Sequence, residues 1–400
     1  MWNAGVLSLL VLLAVRSSAL AATAEPSLVP EFDRAAARRP SREPAPRLNA
    51  PEPPPDAPAA ETPANSPRSA GGESRGGEPR RPYVVLRSRL WMTNGTVNTR
   101  YSVQIPPELI TPRAEVWLGE TENRGSEGTM LIHSAELAPL NWLSLEAQYG
   151  REKSTGRYSD AYWIHAPESW RLTNLSNGAV WNNPNHEEDL RYASNVSSKR
   201  DWAAANLYVR LMDARIAGVD TFELLHSLDL ALGAERFRQY SRLTALETTM
   251  STAKYWPSVP LGPIAGFDST YSAIWRGPHI GLREEFIAPY GFAFEGTAFW
   301  SPVMEYQGDG FDNFSAGPGG LRAQTPNFTD RARGTAIHFQ FGLCWDRKIT
   351  RIEMGYQRLY FYSRTGKRRY YYDDGSTVDY DLEYATAEMG GLYFGASLRF

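Results

Sequence analysis

TAIHFQFGLCW, residues 335–345, alternates without a break. One parity is Thr335, Ile337, Phe339, Phe341, Leu343 and Trp345; the other is Ala336, His338, Gln340, Gly342 and Cys344. Successive side chains of a strand point to opposite faces, so this segment has one apolar face and one polar-or-small face. The pattern returns in 143–149 (Leu143, Leu145, Ala147, Tyr149), in 224–234 (Leu224, Leu228, Leu230, Leu232, Ala234) and in 290–300 (Tyr290, Phe292, Phe294, Gly296, Ala298, Trp300). It returns again at 390–400, where Leu392, Phe394, Ala396, Leu398 and Phe400 share a face.

A soluble sandwich alternates in the same way, so further features must decide. The apolar runs last about ten residues, the length of a tilted strand crossing a bilayer. Aromatics collect at the run ends (Trp300, Trp345, Tyr360, Tyr362), as in interfacial girdles. Connections alternate: Glu285 to Pro289 and Asp346 to Ile349 are tight, while 151–201, 239–270, 302–333 and 364–385 are long. The last strand ends on the apolar-face Phe400. In lipid every backbone polar group needs a partner, which forces strands to close into a ring.

The reading is an all-β, transmembrane antiparallel barrel over 113–400. Ten strands are expected, near 113–120, 129–138, 141–150, 202–212, 224–237, 272–285, 289–301, 334–346, 349–363 and 386–400. Residues 83–112 form an N-terminal segment with a turn signal at Asn94-Gly95; a hairpin there would make twelve strands.

What precedes the barrel is different material. AGVLSLLVLLAV (4–15) followed by Ala19-Leu20-Ala21 reads as a cleaved signal peptide over 1–21. Residues 22–82 hold half of the chain's 28 prolines and almost no large apolar residue. Such a segment cannot offset its ordering entropy by burial, so it reads as a disordered periplasmic tether. The net charge of −3 gives no case for bulk nucleic-acid affinity. The single cysteine, Cys344, excludes an intrachain disulfide and a cysteine-based metal site.

SDAYW (159–163) falls in the long stretch after the third strand and offers Asp160 beside Tyr162 and Trp163. EYQGDGFDNF (305–314) follows the seventh strand and offers Asp309. Strand order, loop lengths, SDAYW and the terminal strand resemble the omptin family of outer-membrane proteases. The resemblance implies an outer-membrane location, a last strand read by the barrel-assembly machinery, and lipopolysaccharide as a lipid partner. It also implies a water-attacking site built from an Asp-x-Asp-Trp-like stretch and an Asp-x-His pair, with the imidazole as base. Asp160 matches the first aspartate and Trp163 the tryptophan, while Tyr162 replaces the second aspartate. Asp309 matches the later aspartate, but Phe311 stands where histidine would be. The barrel character is also similar to that of the porin-like outer-membrane proteins of environmental chlamydiae.

The expectation is therefore a surface barrel with an incomplete protease site, in a structural, surface-binding or porin-like role. The alternative is an active endoprotease whose site is rearranged around Asp160, Asp309 and His165, with Tyr162 and Trp163 holding substrate. His186, His279 and His338 are further substitutes for the lost imidazole. Alternation carried up the ninth strand puts Arg358, Arg364 and Arg368 on the outer face, where guanidinium forks suit lipopolysaccharide phosphates. No other cofactor is expected. Glu146, Asp229, Glu235, Arg283, Glu295, Asp346, Arg351 and Glu353 fall on the inward parity and read as a salt-bridged lumen.

Overall fold

A computed structural model of the chain describes residues 83–104, 115–163, 171–173, 180–182, 188–217, 223–251, 260–313, 315–316, 320–347 and 349–400. The signal-peptide and tether readings, and His165 and His186, lie outside the described residues. Ten long strands follow one another: β1 (Tyr83–Gln104), β2 (Glu115–Leu140), β3 (Leu143–Trp163), β4 (Glu188–Ala217), β5 (Glu223–Ser251), β6 (Asp268–Ile287), β7 (Phe292–Phe311), β8 (Phe328–Arg347), β9 (Thr350–Tyr371) and β10 (Thr377–Arg399). Each pairs antiparallel with its chain neighbours, and β1 pairs with β10, so the sheet closes into a barrel. Arg171–Thr173 pairs with Val180–Asn182, and Gly262–Pro263 adds to the upper part of β5.

The apolar parity faces lipid. Leu86, Leu145, Phe294, Phe341, Leu343, Leu392 and Phe394 are all exposed on the outside. At one end the turns are tight, as at Pro289–Gly291 between β6 and β7. A Cβ on Gly291 would lie 2.1 Å from the Asp346 carbonyl, and its φ is +84°, so this turn requires glycine. At the other end the strands run on far past the belt. β2, β4 and β5 have 26, 30 and 29 residues, whereas crossing a bilayer takes about 9–11. A tall polar-walled cylinder therefore stands above the membrane, on the outer side by the usual arrangement of short and long connections.

The strand count of ten holds, but its composition differs from the sequence reading. The Asn94-Gly95 turn does not form. Residues 83–104 are one barrel strand, closing the ring against β10, so the barrel begins at residue 83. Its inward side is Val85, Arg87, Arg89, Trp91 and Thr93, all buried. Buried charges on that parity disguised the alternation. The expected strands at 113–120 and 129–138 are one strand, β2. Most of the stretches read as loops are upward extensions of strands, whose inner face mixes apolar, aromatic and polar residues, so the period-2 contrast is weak.

The lumen is filled. In its lower half Arg87, Arg89, Arg283 and Arg351 meet Glu136, Glu146, Asp229, Glu285, Glu295 and Glu353. Arg89 grips Glu353 at 2.6 Å and 3.2 Å and also donates to Gln340. Seven of the eight predicted inward charges enter this ion-paired network, with Arg87 and Arg89 from β1 added to it, while Glu235 instead accepts hydrogen bonds from Trp202 and Ser301. Above them lies an apolar septum: Trp91, Met130, Trp202, Phe237, Trp275, Met304, Leu359, Phe361 and Met389, each at most 1% exposed.

The β9–β10 hairpin rises above the septum as a ladder of exposed pairs. Arg369 is bidentate to Asp379 at 2.7 Å and 2.9 Å, and Lys367 reaches Asp381 at 2.8 Å. Hydrogen bonds from the Arg369 guanidinium hold the Asp379 carboxyl below its ordinary value. A carboxyl lowered in the folded state stabilises above its unfolded pKa and loses that contribution as pH falls through the folded one. Amide protection across 367–381 should therefore fall as pH drops through the ordinary aspartate range and below it, once corrected for intrinsic exchange. Protection constant over that range would show that the pairs add nothing.

Candidate functional site

The upper cylinder encloses a cup of about 310 Å³ above the septum. β1 supplies Thr99 and Tyr101, β3 supplies Tyr158 and Asp160, and β4 supplies Leu190 and Tyr192. β5 adds Gln239, Leu243 and Leu246, and the β7 end adds Phe311 and Asp312. Phe267, Ser269, Tyr271, Phe328, Arg368 and Tyr370 complete the wall. Most of these groups stand on tall strands, while Phe267 and Asp312 lie just beyond strand ends.

The floor is a network. Arg368 is bidentate to Asp330 at 2.7 Å and 2.9 Å, and its guanidinium stacks 4.2 Å from the Tyr101 ring and 4.8 Å from Phe328. The Tyr271 hydroxyl donates to Asp330 at 2.6 Å and contacts the Tyr306 hydroxyl. Burial, reinforced by the charge of Asp330, raises the Tyr271 hydroxyl well above its ordinary range. Asp312 accepts from Ser315 at 2.7 Å and from Ser269 at 3.3 Å. Burial, then the charge of Asp160, also keeps Tyr158 protonated far above neutrality, and Asp312 adds to this. Tyr192 is raised by burial, then by Asp160 and Asp312. The cup is thus a ring of neutral phenols around two carboxylates, with no histidine among the described lining residues.

Asp160 sits on β3, opposite Thr121 and Tyr192, and faces inward; it is not in a loop. Tyr162 and Trp163 continue β3, opposite Leu190 and Glu188, and their side chains lie outside the described residues. Asp309 is not in the cup. It faces outward, 3.3 Å from Arg331. The cause is a bulge: β7 gains one residue between Ser301 and Met304 against both neighbours. Below it odd positions such as Glu295 and Phe299 point inward; above it even ones do. Asp312, missed in the sequence, takes the place expected of Asp309. Pro302 lies in that bulge and Pro278 faces it from β6, and prolines inside strands mark such sites.

Arg368 is likewise reversed from the sequence reading. β9 carries an extra residue near Thr365 relative to β8, because Ser363 pairs with Gly334 but Gly366 with Ala332. Alternation inverts there, and Arg368 becomes 4% exposed inside the cup. Arg358 and Arg364 do face outward; Arg358 pairs with Glu388 at 2.6 Å. His279 and His338 are inward and buried below the septum, with their rings tilted against Phe299, and are too low to serve the cup.

No protein-family model matches this sequence, and no curated protein matches it by sequence. Among solved structures, the outer-membrane protease OmpT from Escherichia coli superposes with a TM-score of 0.58 at 11% identity, over 81% of this chain and 98% of that one. A FadL homologue from Pseudomonas aeruginosa gives a TM-score of 0.22 at 9% identity over 80% and 90%. The first likeness shows the barrel fold; the second is too slight to carry an argument.

Proposed function

We propose that this is an outer-membrane surface protein that binds a ligand in its outer cup and neither cleaves peptides nor conducts ions. One observation carries the reading: the cup is a walled cavity over a closed lumen, with two aspartates but no imidazole on its described walls. Water-activating hydrolysis needs a base with a pKa near neutrality, and the phenols flanking these carboxylates stay protonated. Among the described residues the septum and the ion network beneath it stand in series across the lumen, which argues against a porin-like role. The outward Arg358 and Arg364, which lie just below and just above the tyrosines at 360 and 362 along β9, suit contact with lipopolysaccharide phosphates.

The competing reading is an omptin-type endoprotease, which keeps Asp160 at the cup wall and draws on a rearranged base. Purified protein with lipopolysaccharide should leave peptides with paired basic residues intact, and should be silent in a planar bilayer. Cleavage abolished by Asp160→Ala would establish the protease instead. Stepwise conductance would refute the sealed lumen.

A further inference from the structure

We propose that the protein pairs with a second copy of itself in the membrane, through the lipid-facing side of β1 and β2 around Ser88 and His133. The pairing is independent of what the outer cup binds.

Ser88 and His133 are register partners on β1 and β2, and both are exposed on the outside of the barrel. They lie within the apolar belt rather than at its edge. Leu86 and Leu137 flank them on the periplasmic side, and Leu90 and Leu131 on the outer side, all four exposed. Hydrocarbon offers no hydrogen bonds, so a polar group at this depth costs free energy unless protein covers it.

A second polar pair on the lipid parity gives the contrast. His226 and Glu284 share the parity of the exposed Leu232 and Ile280 and lie 2.8 Å apart. There the chain supplies its own cover: His226 stacks on Phe286 at 4.4 Å and is buried. His133 stays exposed.

Hydrogen-bonding capacity identifies the occupant. Ser88 Oγ lies 2.9 Å from His133 Nδ1. An uncharged imidazole has one protonated ring nitrogen. If the hydroxyl donates to Nδ1, the proton sits on Nε2, which needs an acceptor; if Nδ1 donates, Nε2 needs a donor. A second Ser88 meets either need, because a hydroxyl both donates and accepts. Two copies inserted the same way round are related by a two-fold axis along the membrane normal, so groups at like depth meet. With that axis between β1 and β2 at this level, each His133 faces the partner's Ser88. The pair is therefore complementary to itself, and both rings gain the missing bond. Ala135, the next outward residue on β2, and Ala396, opposite Ser88 on β10, keep the flanks low for close approach.

The test uses the full-length protein, in outer-membrane vesicles and in detergent. In a Cys344→Ala background, Leu90→Cys should give a two-chain product with a short bismaleimide. Ile280→Cys, on the opposite wall, should not. The detergent-solubilised protein should have the mass of two chains. His133→Leu puts a residue that lipid favours at the same place, so the barrel should keep its heat-modifiable gel mobility while the dimer dissociation constant rises about tenfold. Ser88→Ala should act alike, and the double variant should add little, since each bond across the interface needs both groups. No Leu90→Cys product, a one-chain mass, equal cross-linking at Ile280→Cys, or an undiminished dimer in His133→Leu would each overturn the proposal. So would a Leu90→Cys product containing a different protein, which would assign this face to another partner.

Discussion

Alanine in place of Phe361 should lower the stability of the barrel by about 3–5 kcal/mol and yet leave it electrically silent. Phe361 lies at the centre of the septum, 5.2 Å from the Phe237 ring and 5.7 Å from Trp275. It is 1% exposed, so truncation removes a full aromatic contact set and leaves a void between rings held by separate strands. The backbone ring of the barrel is closed by ten strand pairs and cannot collapse inward to refill that void. Conductance should not appear, because Arg89 with Glu353 and Arg351 with Glu295 still cross the lumen below. The midpoint of the shift in gel mobility on heating, or a denaturant titration, reads the first effect, and a planar bilayer reads the second. A stability loss under about 1 kcal/mol would mean that the septum is loosely packed. Channel openings in this variant would mean that the ion network is no barrier.

How much of this was legible before the fold was known depended on contrast between faces. In the lipid belt, Phe341 and Leu343 lie outward while Gln340 and Cys344 lie inward, and the sequence alternates to match. Strand type and membrane location follow from such segments; the count of ten agrees only because the missed β1 is offset by β2 having been read as two strands. β1 shows the limit: its inward Arg87 and Arg89 are buried among glutamates contributed by distant strands, which no local pattern foretells. Above the membrane the outer face is polar and the inner one mixed, so the sequence reads as loop where Tyr158 and Asp160 stand on a strand. The candidate site failed differently. Asp309 is chosen by matching a family motif and Arg368 is assigned a face by counting from the belt, and one inserted residue between belt and residue reverses every face beyond it. Pro302 announced the first insertion; nothing as plain as a proline announces the second, at Thr365.

That second insertion makes a sharp contrast testable within one strand. Arg364 and Arg368 are four residues apart and would share a face on an unbroken strand. Arg364→Leu should change stability by no more than about 0.5 kcal/mol, as expected for an exposed arginine. Arg368→Leu should cost about 3–5 kcal/mol. Asp330 is 0% exposed, and losing its bidentate partner leaves a buried carboxylate with the Tyr271 hydroxyl as its remaining close donor. The cost would come mainly from that stranded charge rather than from a lost attraction. Adding Asp330→Asn to Arg368→Leu should therefore recover much of the loss, a non-additivity that a lost packing contact would not produce. Denaturant unfolding of the four proteins in one detergent measures all of this. Equal, small effects of the two leucine variants would mean that alternation runs unbroken through Thr365 and that Arg368 faces outward after all. A large effect of Arg368→Leu without recovery in the double variant would place its role in stacking between Tyr101 and Phe328 rather than in neutralising the cup floor.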